Sequence, residues 1–309
     1  MNILITGAVG FLGFHLSTNL IGKGHKIIGI DDLSSGSKQN LELLLDTKNF
    51  EFINHDVRVP YQHDVDFILN FACPASPVQY QIDPVKTIET SFYGMKNALD
   101  LALRLKVPLI QASTSEIYGD PLVSPQKEDY WGNVNPTGLR SCYDEGKRAA
   151  ETLCFDFKRQ YGVDVRVIRI FNTYGPNMSI DDGRVISNFI CQALNGEDIT
   201  IYGHGSQTRS FCYVSDLVEA IIKLISLPGC PSGPFNLGNP TPTSISEIAQ
   251  IILEKTNSRS EIVYLELPSD DPKHRLPDIS FAKSVLNWQP TIDISTGLNK
   301  TINYFKTLL

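Results

Sequence analysis

Short, mainly apolar runs alternate with stretches of helical periodicity through the first half of the chain. The runs are Asn2 to Thr6, Lys26 to Asp31, Glu51 to His55, Asp66 to Ala72, Val107 to Ala112 and Asp164 to Phe171. They are too short for helices and too uniformly apolar for a sheet with one wet face, which suits parallel strands covered on both sides. Between them the 3.6-residue pattern predicts helices over Phe11 to Lys23, Val85 to Leu105 and Tyr143 to Gln160. Strand and helix in turn form βαβ units, so roughly seven parallel strands in a doubly wound α/β Rossmann sheet are expected.

After Pro176 the elements shorten and mix. A helix over Val185 to Leu194, strands at Ile199 to Tyr202 and Arg209 to Val214, and helices at Asp216 to Ile225, Ser244 to Lys255 and Ile294 to Phe305 are expected, with Pro and Gly punctuation at Pro228-Gly229, Gly233-Pro234 and Pro240 to Pro242. The division predicted is a Rossmann domain over 1–175 and a smaller mixed C-terminal lobe over 176–309, with room for elements to interleave.

Composition narrows the function classes. The 309 residues are 42% hydrophobic and carry 27 Lys+Arg against 34 Asp+Glu, a net charge of −7, with a mean hydropathy of −0.10. A core of ordinary size is available. No apolar run reaches the roughly 18 residues of a membrane span, and the first residues lack the basic stretch of a secretion signal, so a cytoplasmic protein is expected. An acidic chain without a basic stripe is not built for nucleic acid. The six cysteines are scattered with no CxxC pair, so neither a metal site nor a disulfide framework is expected.

Gly7-Ala8-Val9-Gly10-Phe11-Leu12-Gly13 follows the first strand and opens the first helix. Backbone N–H groups there can receive a pyrophosphate where glycine permits close approach. The spacing is GxxGxxG, and a purely structural turn would use the same glycines. Asp31 ends the second strand, 18 residues beyond Gly13, near the distance at which a carboxylate accepts the adenosine ribose hydroxyls and repels a 2′-phosphate. Asp32 adds to that preference for NAD over NADP, while Lys38 opposes it. Asp56 and Val57, after the third strand, stand either beside the adenine or in a solvated turn.

Tyr143 and Lys147 lie four residues apart on one helix face, where the ammonium can lower the phenol's pKa and reach the nicotinamide ribose. With 12 Tyr in the chain such a spacing also arises by chance, so its place after the fifth strand carries the weight. That strand runs into Ser113-Thr114-Ser115-Glu116-Ile117-Tyr118-Gly119, and strand C-termini are where open α/β sheets keep their ligands. A Thr114 hydroxyl there could share a proton with Tyr143.

With these motifs the chain resembles the extended short-chain dehydrogenase/reductase family that acts on nucleotide sugars, and within it the branch that decarboxylates UDP-glucuronate to UDP-xylose. Matching segments run from Ile5 to about Pro290 and include Asn54-His55-Asp56-Val57, Pro74-Ala75-Ser76-Pro77, Ser113 to Pro121, Cys142 to Lys147, Arg169 to Pro176, Asp182-Gly183-Arg184, Gln207-Thr208-Arg209 and Asp271-Pro272-Lys273-His274-Arg275. The 4,6-dehydratases that the chain also resembles carry Thr-Asp-Glu where this one has Thr114-Ser115-Glu116. Loss of CO₂ expels no hydroxide and needs no acid at that point. Glu116 is usually missing from the 4-epimerases.

The resemblance implies a hidden redox cycle. Tyr143 takes the O4 proton while NAD accepts the C4 hydride, the 4-keto acid loses CO₂, and bound NADH returns the hydride. It implies Thr114, Glu116, Tyr143, Lys147 and Arg275 as the catalytic set, with Arg275 on the sugar carboxylate. Cofactor contacts are implied for Gly7, Gly10, Phe11, Leu12, Gly13, Asp31, Asp32, Ser35 and Gly36, and for Asp56, Val57, Phe71, Cys73, Thr87 and Thr173. On the sugar-nucleotide side stand Lys86, Ser115, Asn172, Arg184, Asn188, Tyr202, Gln207 and Arg209. Four positions depart from the family's usual residues: Ser37 and Asn177 for Arg, Cys73 for Ser and Ser91 for Asn. By analogy the long helices at Val85 to Leu105 and Tyr143 to Gln160 form the interface of a homodimer. A related epimerase or dehydratase, or an NAD-binding sensor without activity, are the competing readings.

Overall fold

Seven strands form the central sheet: β1 (Asn2–Thr6), β2 (Lys26–Asp31), β3 (Phe50–Asn54), β4 (Phe67–Asn70), β5 (Leu109–Thr114), β6 (Val165–Ile170) and β7 (Phe235–Leu237). In this computed structural model, which describes residues 1–266 and 274–309, they pair in the order β7-β6-β5-β4-β1-β2-β3, parallel throughout. The order reverses between β1 and β4, which opens a crevice at their C-terminal ends. Asp271, Pro272 and Lys273 lie outside the described residues.

Apolar runs without alternation follow from the two covered faces. Ile3, Ile5, Phe67 and Leu69 pack into one core with the Phe11–Gly22 and Val214–Ser226 helices. Leu4, Ile68, Leu109 and Val165 point the other way, against Met95 and Leu99 of the Pro84–Leu105 helix and Ala150 and Cys154 of the Ser141–Tyr161 helix. A buried polar row crosses β1, β4 and β5: Thr6 donates to Asn70 at 2.8 Å and Asn70 to Gln111 at 2.7 Å. Side-chain pairing of this kind removes the penalty of burying the three polar groups.

A second buried network braces the helix that carries Tyr143. Glu151 accepts from Ser113 and from Arg169 through Nε at 3.1 Å and through a terminal nitrogen at 2.9 Å. Arg169 also donates to Tyr118, which donates to Asn236 of β7 at 2.8 Å. Helix, β5, β6 and β7 are thus tied together directly behind the end of β5.

Three features depart from expectation. The seventh strand comes from beyond residue 176, so the second lobe returns to the sheet. The run expected as one strand over Arg209 to Val214 is split: Thr208–Ser210 pairs with Pro242–Ser244 and His274–Arg275, whereas Cys212–Tyr213 pairs with Thr173–Tyr174. Two partners in different sheets require a turn between them, at buried Phe211, and the helix begins at Val214. Helices at Lys38–Leu45 and Ser280–Leu286 and a strand at Ile262–Leu265 also occur. They are too short for periodicity to single them out.

Candidate active site

The cofactor end is built on close approach. Gly7 has φ of 70°, and a Cβ on it would lie 2.9 Å from the Ala72 backbone beyond β4. A Cβ on Gly13 would collide with the Gly7 carbonyl oxygen. The first helix can therefore begin directly over the end of β1. Gly10 is its N-cap and supplies no side-chain acceptor, so N–H groups of the first turn at Phe11, Leu12 and Gly13 are left for an anion. A cleft opens beside them, lined by Gly7, Gly10, Asp31, Asp32, Ser35 and Gly36 on one side and by Asp56, Val57, Phe71 and Cys73 on the other.

Asp31 is buried at the end of β2, where Oδ2 accepts from Val9 N at 3.3 Å and Oδ1 from Leu33 N at 2.9 Å. Burial pushes its pKa up against those two donors. Asp32 accepts from Lys86 Nζ at 2.8 Å, and although burial opposes it, Lys86 and Ser34 hold this carboxyl below its ordinary value. Lys86, implied on the sugar side, is tied in this way to Asp32 at the mouth of the cleft. Asp56 is gripped by Arg58, whose other terminal nitrogen holds Glu89. Its carboxyl is held low by Arg58.

The departures from the family's residues are absorbed locally. Ser37 caps the Lys38–Leu45 helix by accepting from Asn40 N at 3.2 Å. Asn177 adopts φ of 64° and donates to Asn40 Oδ1 at 3.1 Å. Cys73 and Ser91 touch each other, Sγ to Oγ at 3.3 Å. Thr87 is buried, its hydroxyl bonded to the carbonyls of Tyr80 and Asp83.

Beyond the crevice, β5 runs into a turn of 3₁₀ helix at Ser115–Tyr118, with the Thr114 hydroxyl accepting from Glu116 N at 3.2 Å. Tyr143 is buried and stacks on Tyr80, ring centroids 5.2 Å apart and planes 4° from parallel. Burial raises its phenol's pKa, and a hydrogen bond from Thr114 opposes the rise. Lys147 Nζ donates to Ala112 O at 3.0 Å and lies 5.7 Å from the Tyr143 ring centroid. The expected trio of Thr114, Tyr143 and Lys147 is brought together.

Arg275 reaches the same place from the second lobe. Only 3% exposed, it donates to Ser115 Oγ at 2.9 Å, to Glu116 Oε2 at 2.8 Å and to Gly119 O at 3.2 Å. Arg140 donates to the same Glu116 oxygen at 2.6 Å. Burial would raise the Glu116 pKa, but Arg275 and Arg140 hold it down to about 2. Arg209 is the register partner of Arg275 on the adjoining strand.

The remaining sugar-side residues are more dispersed. Arg184 is paired with Asp182 at the start of the Val185–Asn195 helix, and Asn188 donates to Gly183 O at 3.1 Å. The Asn172 carbonyl accepts from Cys212 N at 2.8 Å, and the Thr173 hydroxyl donates to Phe171 O at 2.9 Å. Gln207 donates to the carbonyl of half-exposed Tyr202 at 2.6 Å.

Residues 3–238 match the sequence profile of the NAD dependent epimerase/dehydratase family. The chain belongs to that family. Among its relatives, UDP-glucuronic acid decarboxylase 1 of Danio rerio is 52% identical over 98% of this chain and 72% of its own length. UDP-glucuronic acid decarboxylase 3 of Arabidopsis thaliana is 52% identical over 96% of this chain and 87% of its own length. The crystal structure of a UDP-glucuronic acid 4-epimerase from Bacillus cereus, in complex with UDP-glucuronic acid and NAD, superposes with a TM-score of 0.90 at 25% identity, covering 100% of both chains. In this epimerase/dehydratase chain, four residues of the site stand outside the sequence-based set: Arg140, Asp144, Tyr80 and Arg58. Asp144 lies inside the Tyr143–Lys147 motif and Arg140 three residues before it, and proximity was the available signal. Tyr80 and Arg58 are brought in by tertiary packing from segments with no motif of their own.

Proposed function

We propose that this chain is an NAD-dependent UDP-glucuronate decarboxylase that forms UDP-xylose through a 4-keto intermediate. The observation that carries this is the Arg275 guanidinium, buried against Ser115 and Glu116 at the end of β5 in a chain half identical to decarboxylases over nearly its whole length. The fit to the cofactor rests on the glycine cradle and Asp31. Gly7, Gly10, Phe11, Leu12 and Gly13 would hold the diphosphate, Asp31 and Asp32 the adenosine ribose, and Lys147 the nicotinamide ribose. Bound NAD supplies a reversible acceptor for the hydride at the sugar C4.

Tyr143 accepts the O4 proton and later returns it, with Thr114 holding the same oxygen. Because burial makes the phenolate costly, the nearby Lys147 cation is the group that favours it. Arg275 holds the sugar carboxylate, fixing the C5–carboxylate bond out of the plane of the C4 carbonyl where it cleaves most readily. Arg275 and Arg140 hold the Glu116 carboxyl low, which favours its carboxylate form there. Glu116 orients Arg275. Ser115 presents a hydroxyl where a dehydratase needs an acid.

On the same basis we assign the cofactor to residues 1–175 and the sugar nucleotide to the lobe over 176–309, with Arg184, Asn188 and Arg209 on the nucleotide side. A homodimer is supported by Val85, Ile88 and Phe92, one helical face of Pro84–Leu105, which are 64%, 39% and 39% exposed. Among the described residues no helix is long and apolar enough to cross a membrane. The six free cysteines suit the reducing cytoplasm in which we place the reaction. The deciding experiment is incubation with UDP-glucuronate and NAD followed by mass analysis for loss of about 44 Da as CO₂. Unchanged mass with inversion at C4 would make it an epimerase instead.

A further inference from the structure

Asp144 stands next to the catalytic phenol and takes no part in the chemistry derived above. It is 6% exposed, and its Oδ1 is buried with no hydrogen-bond partner among the described residues. A buried carboxylate left unpartnered is costly, and the usual escape is to hold a proton. Among the described residues, the charged groups that act on it most are Glu116 from the turn after β5, Arg140 and Glu145 at the start of its own helix, and Arg275 from the second lobe. Tyr80, Tyr143 and Cys142 are further titratable neighbours.

We propose that Asp144 takes up a proton when the sugar carboxylate binds, so that recognition of a uronate by this site is coupled to protonation of a carboxyl that does not touch the ligand. This rests on the proposed decarboxylase function, in which Arg275 receives the substrate's carboxylate. Three changes then act on Asp144 in one direction. A new anion enters beside Glu116, Arg275 turns part of its charge to that anion, and the filled cleft excludes more water. Each disfavours ionised Asp144. Before binding, burial and Glu116 have already raised this carboxyl to about 7, so it titrates in the neutral range, where a further push can load it with a proton. A sugar nucleotide with a neutral C6 brings no such charge.

The test is calorimetric titration of the protein loaded with NADH, which cannot oxidise the sugar, in buffers of differing ionisation enthalpy between pH 6 and 8.5. UDP-glucuronate should bind with uptake of about half a proton or more near pH 7.5, and its affinity should fall several-fold, at most about tenfold, per pH unit above that. UDP-glucose, which fills the cleft but brings no carboxylate, should bind with clearly smaller uptake. Asp144→Asn should bind UDP-glucuronate without uptake and with a flat pH profile. The wild-type measurement is decisive even if that variant folds poorly: UDP-glucuronate binding with no proton uptake overturns the coupling while leaving the decarboxylase function standing. Uptake that persists in Asp144→Asn, or that is equal for UDP-glucose, overturns it as well. Failure of UDP-glucuronate to bind at all would remove the function and the coupling together.

Discussion

Replacing Arg275 by Met keeps the aliphatic stem in its packed position and removes the guanidinium, and the consequences divide cleanly between folding and recognition. In the free protein the guanidinium is one of two cations on a single Glu116 oxygen, at 2.8 Å against 2.6 Å for Arg140. Stripping a partner from a buried ion pair usually costs roughly 3–5 kcal/mol. Here Arg140 stays, and the groups left behind are Ser115 Oγ, the Gly119 carbonyl and a half-compensated carboxylate. The expected loss of stability is therefore nearer about 2 kcal/mol. In the complex the same change removes a charge-assisted contact to the sugar carboxylate, for which roughly 2–5 kcal/mol is the measured range for a buried charge pair. The turnover efficiency with UDP-glucuronate should fall by at least about 30-fold, while the affinity for UDP-glucose, which lacks the carboxylate, should stay within about threefold. Steady-state kinetics with one ligand and calorimetry with the other, below the shifted melting temperature, separate the two. Equal weakening of both ligands would mean that Arg275 only supports the fold, and unchanged turnover would remove it from the chemistry altogether.

Tyr143→Phe leaves the stack on Tyr80 intact and should lower kcat by roughly 10²–10⁴ with little change in KM; kcat within threefold of the parent would exclude this phenol as the base. Asp31→Ala should weaken NAD by roughly 1–3 kcal/mol and narrow the gap to NADP, and identical NAD affinities by fluorescence titration would show that the carboxylate only anchors Val9 and Leu33. From these two groups the melting temperature should pass through a maximum near pH 4. Glu116, depressed from 4.5 to about 2, contributes stability that is present above 4.5 and lost as pH falls through 2, on the order of 2–3 kcal/mol. Asp144, raised from 3.8 to about 7, contributes stability that is complete below 3.8 and lost as pH rises through 7, so Asp144→Asn should flatten the limb above pH 5. Thermal melts from pH 3 to 8 that are level above pH 5 in both proteins would contradict the placement of Asp144.

How far a site can be read from sequence depends on how its residues reach one another. Gly7, Gly13, Asp31, Thr114, Tyr143 and Lys147 sit at fixed offsets within single βα units, where spacing along the chain becomes position in space through the geometry of one strand and one helix. Arg275 was legible only through resemblance, because what delivers it is the pairing of His274–Arg275 alongside Thr208–Ser210, a contact across the fold that no local periodicity encodes. The strand Phe235–Leu237 escaped for the same reason. Three residues after a Gly-Pro carry no pattern until β6 offers them an edge.

Charge balance is legible even less directly. Asp144 lies within the stretch that marked Tyr143 and Arg140 just before it, yet their meaning comes from Glu116 and Arg275, which approach from two other elements. Taken by local sequence alone, Arg140 and Asp144 form an i, i+4 pair of opposite sign, the usual mark of a solvated helix face. Burial reverses that meaning, since a guanidinium and a carboxyl removed from water must find partners or change protonation state. Arg140 finds Glu116. Asp144 keeps an unpartnered oxygen, and a raised pKa follows from that geometry. A site that must receive a third carboxylate gains from holding one of its own ready to discharge, which is why the proton count on binding is the measurement most specific to this arrangement.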